Sequence, residues 1–342
     1  MCAFVHDIGG HMKRIALTIA LAASAFVTPA KAWNSRGHMV VAAIAWDRMT
    51  PAARAQASVL LRINPDYATW VAGIASDDRD RIAFMQAATW PDDLRSRICT
   101  GRPECVDDDR YEPADAGNNL NIGYRDKRLR RYWHFVDIPF TNDGTATKPP
   151  FRYNAETQIN LFSDSLRDAS LGDEAKSFDL SWLLHMVGDV HQPLHATSRF
   201  NVTFRGGDDG GNGVIVCSPT AAKCETKNRP FKLHSLWDDA IGTSGDATSA
   251  WRKAGGLIAQ LRDPTSFLST MLARADLNSA PGDWIKESAA LAQAYAYVPP
   301  IGAGKGPYFP GADYRRNAGS IAEQQIVIAG ARLAQMLNRQ LG

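Results

Sequence analysis

The chain has 342 residues with 38 basic and 36 acidic side chains, which gives a formal net charge of +2 at pH 7. A charge this close to zero argues against a protein that holds nucleic acid by backbone electrostatics alone. The length allows one or two domains with a large hydrophobic core, and no linker, repeat or low-complexity segment divides the sequence.

Residues 1–32 are predicted to be a cleaved signal peptide. A short positive region at residues 12–14 precedes an apolar run, and residues 30–32 (Ala-Lys-Ala) form a small-x-small cleavage site. The run is too short and too rich in alanine for a spanning helix, although a retained membrane anchor is the alternative. Cleavage would remove three of the 38 basic and one of the 36 acidic residues. The remaining domain, 33–342, would begin at Trp33 and be secreted or periplasmic.

Most of this domain is predicted to be helical. Pro51, Pro193 and the Pro299–Pro300 pair interrupt the helical pattern. Four segments place apolar residues at intervals of three and four, namely 37–49 (GHMVVAAIAWDRM), 155–169 (AETQINLFSDSLRDA), 178–192 (FDLSWLLHMVGDVHQ) and 321–341 (IAEQQIVIAGARLAQMLNRQL). We therefore predict an all-α fold, a single mainly helical domain.

One segment departs from the helical pattern. Residues 205–234 combine the Gly-rich run GGDDGGNG (206–213) with a β-branched run and two cysteines, which predicts one small β-hairpin. We interpret the Gly-rich run as a tight approach to that hairpin, with a calcium-binding turn as the alternative. The four cysteines after residue 32 form two close sequence pairs, which predicts two local disulfides in an oxidising compartment: Cys99 with Cys105, and Cys217 with Cys224.

Histidine and aspartate recur at helical spacing in two places. In LLHMVGDVHQPLH, His185 and Asp189 are four residues apart and project from one face of a helix, and Pro193 lets His195 turn back toward them. In LHSLWDD, His234 and Asp238 repeat this spacing. Imidazole and carboxylate together are ligands that divalent metals, zinc above all, accept. Each pair alone is more often a simple hydrogen bond, but the two pairs together predict a metal site.

Two further segments are candidate contributors. ATWPDDL presents Asp92 and Asp93 after a Trp-Pro turn, where a helix N-cap is the alternative. RYWHFVDIPF presents His134 and Asp137 among aromatic residues, where a hydrogen-bonded histidine at the end of a buried element is the alternative.

Taken together, these motifs resemble those of the S1/P1 nucleases, zinc-dependent single-strand nucleases in the same broad fold group as bacterial zinc-dependent phospholipase C. The resemblance begins at Trp33 and covers nearly all of residues 33–342 in the family's order. The matching motifs are WPDD, WHFVDIP, LLHMVGDVHQPLH, GGDDGGNG and LHSLWDD. The resemblance implies a mainly helical domain of the phospholipase C/P1 nuclease type.

The resemblance also implies three zinc ions. One ion would be held by Asp92, His134, His185 and Asp189, and a second by His195, His234 and Asp238. The third would be held by His38 and by the amine and carbonyl of Trp33, with Asp189 as a shared bridge. Signal cleavage directly before Trp33 would create that amine. His191 is left over, and we interpret it as an exposed side chain or one that supports a ligand.

The activity implied by the resemblance is an endonuclease that cleaves single-stranded DNA and RNA to 5′-phosphate products, with 3′-nucleotidase activity. Asp92 and Asp189 would orient the attacking water, and Arg95 would stabilise charge on the phosphate, unless it is a surface arginine. Phe135 and Asp137 would stack on and hydrogen-bond an unpaired base, although Phe135 is equally compatible with a place in the core.

Two other functions remain open. A phospholipase C-like phosphodiesterase would use the same three-metal site on a lipid, and a periplasmic zinc-binding protein would have no catalytic activity. Such binding proteins tend to carry His-rich loops, whereas the few histidines here stand in helical or aromatic contexts. The expected partners are nucleic acid and nucleotides as substrates. After processing we expect a monomer without a membrane anchor.

Overall fold

The structure is a computed structural model. It describes residues 33–94, 112–118, 120–126, 128–218, 224, 230–243 and 245–342. The predicted signal peptide, Arg95, Cys99 and Cys105 lie outside the described residues, so what the sequence predicts for them stays a prediction.

The described residues form a mainly helical fold, as predicted. Its α-helices are α1 (Ser35–Arg48), α2 (Pro51–Leu61), α3 (Tyr67–Trp70), α4 (Arg79–Ala87), α5 (Trp90–Asp93), α6 (Ala155–Ser165), α7 (Asp173–Asp189), α8 (Leu233–Asp238), α9 (Ala247–Arg262), α10 (Phe267–Arg274), α11 (Pro281–Leu291) and α12 (Ala312–Leu341). The four helices predicted from periodicity correspond to α1, α6, α7 and α12. None of the helices in the described ranges has the length and hydropathy needed to cross a bilayer.

The first two helices begin where the sequence supplies caps. The Asn34 side chain accepts a hydrogen bond from the Gly37 amide at 3.2 Å, which satisfies one of the unpaired donors at the start of α1. Thr50 caps α2 in the same way, and Pro51 occupies its first position, where the missing amide costs nothing. The Asn34 cap fixes where α1 begins, and hence which turn of the helix carries His38.

Helices α1 and α7 form the centre of the core. Every residue of α1 from 37 to 45 is buried, as is every residue of α7 from 177 to 189. Helix α12 packs against α1 at Gly330, where an added Cβ would lie 2.7 Å from Ile44 Cβ. A helix buried on all sides cannot place polar side chains toward solvent. Polar residues within these two buried stretches must therefore be paired inside the protein.

A two-stranded parallel sheet joins two distant parts of the chain. Strand β1 (Ile138–Thr141) pairs with β2 (Thr197–Phe200), with Ile138 opposite Thr197. The pairing continues upstream, since the Val136 amide donates to the His195 carbonyl at 2.8 Å. The sheet therefore brings the segment that follows His134 alongside the segment that carries His195.

Within residues 205–234, where a β-hairpin was predicted, the described residues form short pairings that are separate from the sheet of β1 and β2. In the described part of that segment, Ile215 forms a single antiparallel bridge with Lys232, whereas Val216 pairs in parallel with Tyr308. The β-branched run thus takes a partner some ninety residues further along the chain, which a local pattern does not reveal. Cys217 and Cys224 form the predicted disulfide.

A buried polar network surrounds Asp179, about 9 Å along α7 from His185. Asp179 accepts hydrogen bonds from Ser165 Oγ and from Asn121 Nδ2, the latter at 2.8 Å. Burial raises the pKa of the Asp179 carboxyl to about 7, and the bonds from Ser165 and Asn121 oppose this shift. Burial also raises the pKa of the nearby Tyr124 to about 12, so that tyrosine stays neutral.

We expect Asp179→Asn to change how stability depends on pH. The folded pKa lies above the unfolded value, so the native state keeps a proton that the unfolded state loses between about pH 4 and 7. Wild-type stability is therefore lost as pH rises through this window, by at most about 1.4 kcal/mol per pH unit from this group. Urea unfolding of zinc-loaded protein from pH 5 to 8 measures this difference. The free energy of unfolding of the variant should rise relative to that of wild type up to about pH 7. Parallel pH profiles would contradict the raised pKa.

Candidate metal centre

The last turn of α7 directs two side chains at one point, as their i, i+4 spacing predicts. His185 Nε2 lies 3.2 Å from Asp189 Oδ2, and both side chains are fully buried. His185 Nδ1 lies 2.8 Å from the carbonyl oxygen of Ala88. A carbonyl can only accept, so Nδ1 carries the proton and Nε2 presents its lone pair to the centre.

Asp189 also contacts histidines from two other segments. His38 on α1 places Nε2 at 3.3 Å from Asp189 Oδ1, and His134 places Nδ1 at 3.1 Å from Asp189 Oδ2. The rings of His38 and His185 are stacked with centroids 3.9 Å apart. One carboxylate thus faces different histidines with its two oxygens, the arrangement that a bridging ligand requires.

Of the two aspartates in WPDD, only Asp92 joins this cluster. Its Oδ1 lies 3.9 Å from His185 Nε2, since the short helix α5 packs against α7. Asp93 instead accepts a hydrogen bond from Thr89 Oγ1 at 3.0 Å, four residues earlier in the chain. Asp93 is therefore engaged locally by Thr89 rather than by the cluster.

A second cluster is formed by His195, which lies just before β2, and by His234 on α8. The His195 Nδ1 donates to the His134 carbonyl at 2.8 Å, and the His234 Nδ1 donates to the Gly210 carbonyl at 2.7 Å. The two Nε2 atoms lie 2.8 Å apart. Because both Nδ1 atoms are donors, both Nε2 atoms present lone pairs, and such lone pairs repel one another at this distance. A divalent cation bound by both nitrogens would remove that repulsion.

Asp238 completes the second cluster. Its Oδ1 lies 3.7 Å from His234 Nε2 and accepts a hydrogen bond from Gln192 Nε2 at 2.7 Å. The Gln192 Oε1 in turn accepts from the Leu194 amide, so this glutamine ties the turn before His195 to the carboxylate. Gln192 thus sets the orientation of Asp238, although it is not itself one of the candidate metal ligands.

Three groups of side chains in the described residues are close enough to hold metal ions. Within each group all ligand atoms lie within 4.8 Å of one another. The groups are Asp92, His134 and His185; His38, His185 and Asp189; and His195, His234 and Asp238. All eight side chains predicted as ligands are therefore brought together, with His185 belonging to two of the groups.

The protonation preferences of these groups fit a divalent cation. Burial, and then the charge of Asp92, raise the pKa of Asp189 well above its usual range. Burial also raises the pKa of Asp238, while Gln192 opposes that shift. Burial lowers the pKa of His134, with help from neighbouring histidines, and favours the neutral imidazole that ligates metals. Several buried carboxylates beside neutral imidazoles, without a thiolate, form a donor set that suits zinc.

Trp33 lies beside His38. Its side chain is fully buried, and a Cβ added at Gly37 would lie 2.5 Å from Trp33 Cβ. A Cβ at Gly188 would lie 3.0 Å from His38 Nδ1 and 3.8 Å from Trp33 Cδ1. Glycines at these two positions therefore leave room for the tryptophan and the histidine. Ligation through the Trp33 amine would require cleavage after residue 32 and stays a prediction.

His191 is buried, so the alternative that it is exposed is wrong. Its Nδ1 lies 2.7 Å from the Val187 carbonyl, and its Nε2 lies 3.0 Å from Nη1 of Arg332. Arg332 is 1% exposed and belongs to α12. It braces the turn between Asp189 and His195, a role that sequence reasoning missed. The available signal was a single arginine within the apolar run IVIAGARLAQML.

The two predicted base-binding residues lie within three positions after His134 in the chain. Phe135 is partly buried and packs against Phe151, with ring centroids 6.1 Å apart. Asp137 is partly exposed. The pKa of Tyr297 is raised first by burial and then by carboxylates that include Asp137, so this charge lies near the Tyr297 hydroxyl.

Comparison with known proteins agrees with this geometry. A sequence profile of the S1/P1 nuclease family matches residues 33–342, and the chain belongs to that family. It is 33% identical to endonuclease 4 of Arabidopsis thaliana over 166 residues, which are 47% of this chain and 49% of that protein. It is 32% identical to endonuclease 3 of the same plant over 224 residues, which are 60% of this chain and 68% of that protein. The first of these matches thus spans about half the length of the relative.

We expect removal of metal to destabilise the protein strongly. Occupation of one site at a thousand times its Kd adds about 4 kcal/mol of stability. For a domain of this size, with an unfolding entropy of about 0.65 kcal/mol/K, that corresponds to roughly 6 °C in Tm. Thermal unfolding of zinc-loaded protein should therefore shift down by at least this amount in EDTA and recover when zinc is restored. EDTA saturated with magnesium is the control. An unchanged Tm after chelation would contradict the occupied cluster.

Proposed function

We propose that this chain is a secreted or periplasmic, zinc-dependent endonuclease. It hydrolyses phosphodiester bonds of single-stranded DNA and RNA to 5′-phosphate products and also acts as a 3′-nucleotidase. The observation that carries this proposal is the convergence of three His/Asp groups on neighbouring points, in a chain of the S1/P1 nuclease family. Phosphate ester hydrolysis is the chemistry that benefits most from several dications close together.

The accessible side of the cluster indicates where a substrate would enter. The side chains of His38, His185 and Asp189 are fully buried, whereas those of Asp92 and His134 are 11% and 13% exposed. A phosphate would therefore reach the cluster past Asp92 and His134. Zinc bound here would supply a Lewis acid for the phosphate oxygens and lower the pKa of bound water to about 7.

The positions of the two carboxylates support different proposed roles for them. Asp92 is the accessible carboxylate, so it is suited to accept a hydrogen bond from the attacking water and orient it. Asp189 is fully buried between histidines and would act mainly as a bridging ligand that fixes the spacing of two groups. Arg95 is proposed to stabilise charge on the phosphate. It lies outside the described residues, and this role rests on the resemblance alone.

The preference for single strands is proposed to arise at Phe135 and Asp137. Phe135 follows His134 directly in the chain, and Asp137 lies three residues after it. Phe135 is only partly buried, so part of its ring is available to a base, and Asp137 offers an acceptor for the base edge. A base held in this way must be unstacked, which a duplex resists and a single strand allows.

Asp189→Asn is expected to abolish most of the hydrolysis. Loss of the bridging charge should cost several kcal/mol of transition-state stabilisation, a fall in kcat/KM of at least about 100-fold. Asp179→Asn is the matched control, because it neutralises another buried aspartate on the same helix, outside the cluster, and should keep wild-type activity. Equal losses in the two variants would contradict the assignment.

The assay uses the protein of residues 33–342 on four substrates: single-stranded DNA, single-stranded RNA, duplex DNA and phosphatidylcholine vesicles. Each is run with chelator and again after zinc is restored. The proposal expects zinc-restored release of 5′-mononucleotides from the single strands. Cleavage of the lipid alone would support a phospholipase-like enzyme, and absence of hydrolysis by a zinc-loaded sample would support a binding protein.

Phe135→Ala is expected to raise KM for single-stranded DNA with little change in kcat. Stacking contributes about 1–3 kcal/mol per base, which corresponds to roughly a 5- to 150-fold increase. Phe151→Ala is the control, since it removes the ring that packs against Phe135 and tests whether the effect comes from packing. If both variants change KM equally, Phe135 is a core residue and does not stack on the substrate.

A further inference from the structure

The Gly-rich segment 206–213 contributes no metal-binding side chain, yet it contacts the second cluster directly. The Gly210 carbonyl accepts the hydrogen bond from His234 Nδ1 at 2.7 Å. Gly210 has a φ of +56°, and a Cβ at this position would lie 2.1 Å from the Leu194 carbonyl oxygen. Only glycine allows the backbone to pass this close to Leu194, the neighbour of His195.

One buried carboxylate fixes the conformation of this segment. Asp208 is 1% exposed. Its Oδ1 accepts hydrogen bonds from the Arg199 amide at 2.9 Å, the Gly211 amide at 3.3 Å and the Tyr297 hydroxyl at 3.0 Å. The Asp208 backbone carbonyl accepts from the Gly213 amide at 2.9 Å. Two amides that follow Gly210 in the turn, those of Gly211 and Gly213, are therefore both bound by this single residue.

The same carboxylate connects the turn to strand β2. Arg199 lies on β2, only four residues after His195, and its side chain is 6% exposed. Its Nε lies 3.4 Å from Asp208 Oδ2, and its Nη1 donates to the Gly302 carbonyl at 2.9 Å. Its guanidinium also lies over the Tyr297 ring, 4.7 Å from the centroid. Asp208 thus joins the strand that follows His195 to the turn that orients His234.

We propose that Asp208 is a positioning residue for the metal group formed by His195, His234 and Asp238. It holds the turn so that the Gly210 carbonyl fixes the tautomer and ring orientation of His234, and Nε2 then faces the ion. This inference rests on the proposed function, because it assumes that the group binds zinc. Loss of such a supporting contact typically lowers metal affinity or activity 10- to 100-fold.

Loss of the Asp208 carboxylate is expected to weaken zinc binding at one group only. In Asp208→Ala, the ion at this group should dissociate at a free zinc concentration 10- to 100-fold higher than in wild type, while the other two ions keep their wild-type affinity. Tyr297→Phe removes one of three hydrogen bonds to Asp208 Oδ1. The same ion should then dissociate at a free zinc concentration that is also higher than in wild type, but by a smaller factor. Asp209→Asn is the matched control, because it changes the adjacent aspartate of the same turn and asparagine tolerates its φ of +51°.

The experiment equilibrates each zinc-loaded protein of residues 33–342 in buffers of stepped free zinc concentration and measures zinc per protein by mass spectrometry. Circular dichroism verifies the fold, and Tyr297→Phe carries the test if Asp208→Ala does not fold. Selective loss of one ion supports the inference. Retention of all three ions as in wild type, or parallel loss of all three, overturns it while leaving the proposed function intact. A wild-type protein without zinc would overturn both.

Discussion

Asp189 is a fully buried carboxylate between three histidines, and the helical core can close around it only if its charge is compensated. Burial and the nearby Asp92 raise its pKa well above the usual range, so without a compensating positive charge this carboxyl would hold a proton. Neutral histidines provide lone pairs but no positive charge. A bound dication supplies that charge and reverses the penalty. The central helices can therefore be understood as a scaffold for the candidate metal-binding groups.

The architecture follows from this requirement. Helices α1 and α7 are buried along most of their length, so His38 and the pair His185 and Asp189 are held by packing on all sides. The remaining ligands come from connecting segments, which the parallel strands β1 and β2 bring together. The His134 carbonyl accepts from His195 Nδ1, so a ligand of one group orients a ligand of another at 2.8 Å. This contact makes the three groups one continuous site, because displacement of either segment would disturb two groups.

The sequence predicted those parts of the structure that depend on local periodicity. Apolar residues at intervals of three and four positions predicted α1, α6, α7 and α12. The i, i+4 spacing placed His185 with Asp189 and His234 with Asp238. The sheet was not predictable in this way, since β1 and β2 are parallel and separated by more than fifty residues. Parallel pairing leaves no turn signature between the strands. The segment after Gly213 was predicted in part: it pairs antiparallel with the segment around Lys232, as a hairpin requires, whereas the parallel pairing of Val216 with distant Tyr308 leaves no local signal.

The supporting residues were the least visible in the sequence. Arg332 reaches the site through His191, which lies in a different part of the chain, and Asp208 reaches it through its own turn and through Arg199 on β2. A buried ion pair or carboxylate looks like any surface charge until tertiary structure places it. Resemblance to the S1/P1 nucleases named the ligands, but it could not show how the fold holds them.

The central claim is that the buried histidines and aspartates hold three zinc ions. A crystal structure of the zinc-loaded protein of residues 33–342, with anomalous data on both sides of the zinc absorption edge, tests it most directly. The account predicts three zinc peaks, one within ligand distance of His195, His234 and Asp238 and two flanking Asp189, with the Trp33 amine bound to one of them. Anomalous maps without zinc at these side chains, from crystals grown in zinc, would contradict it.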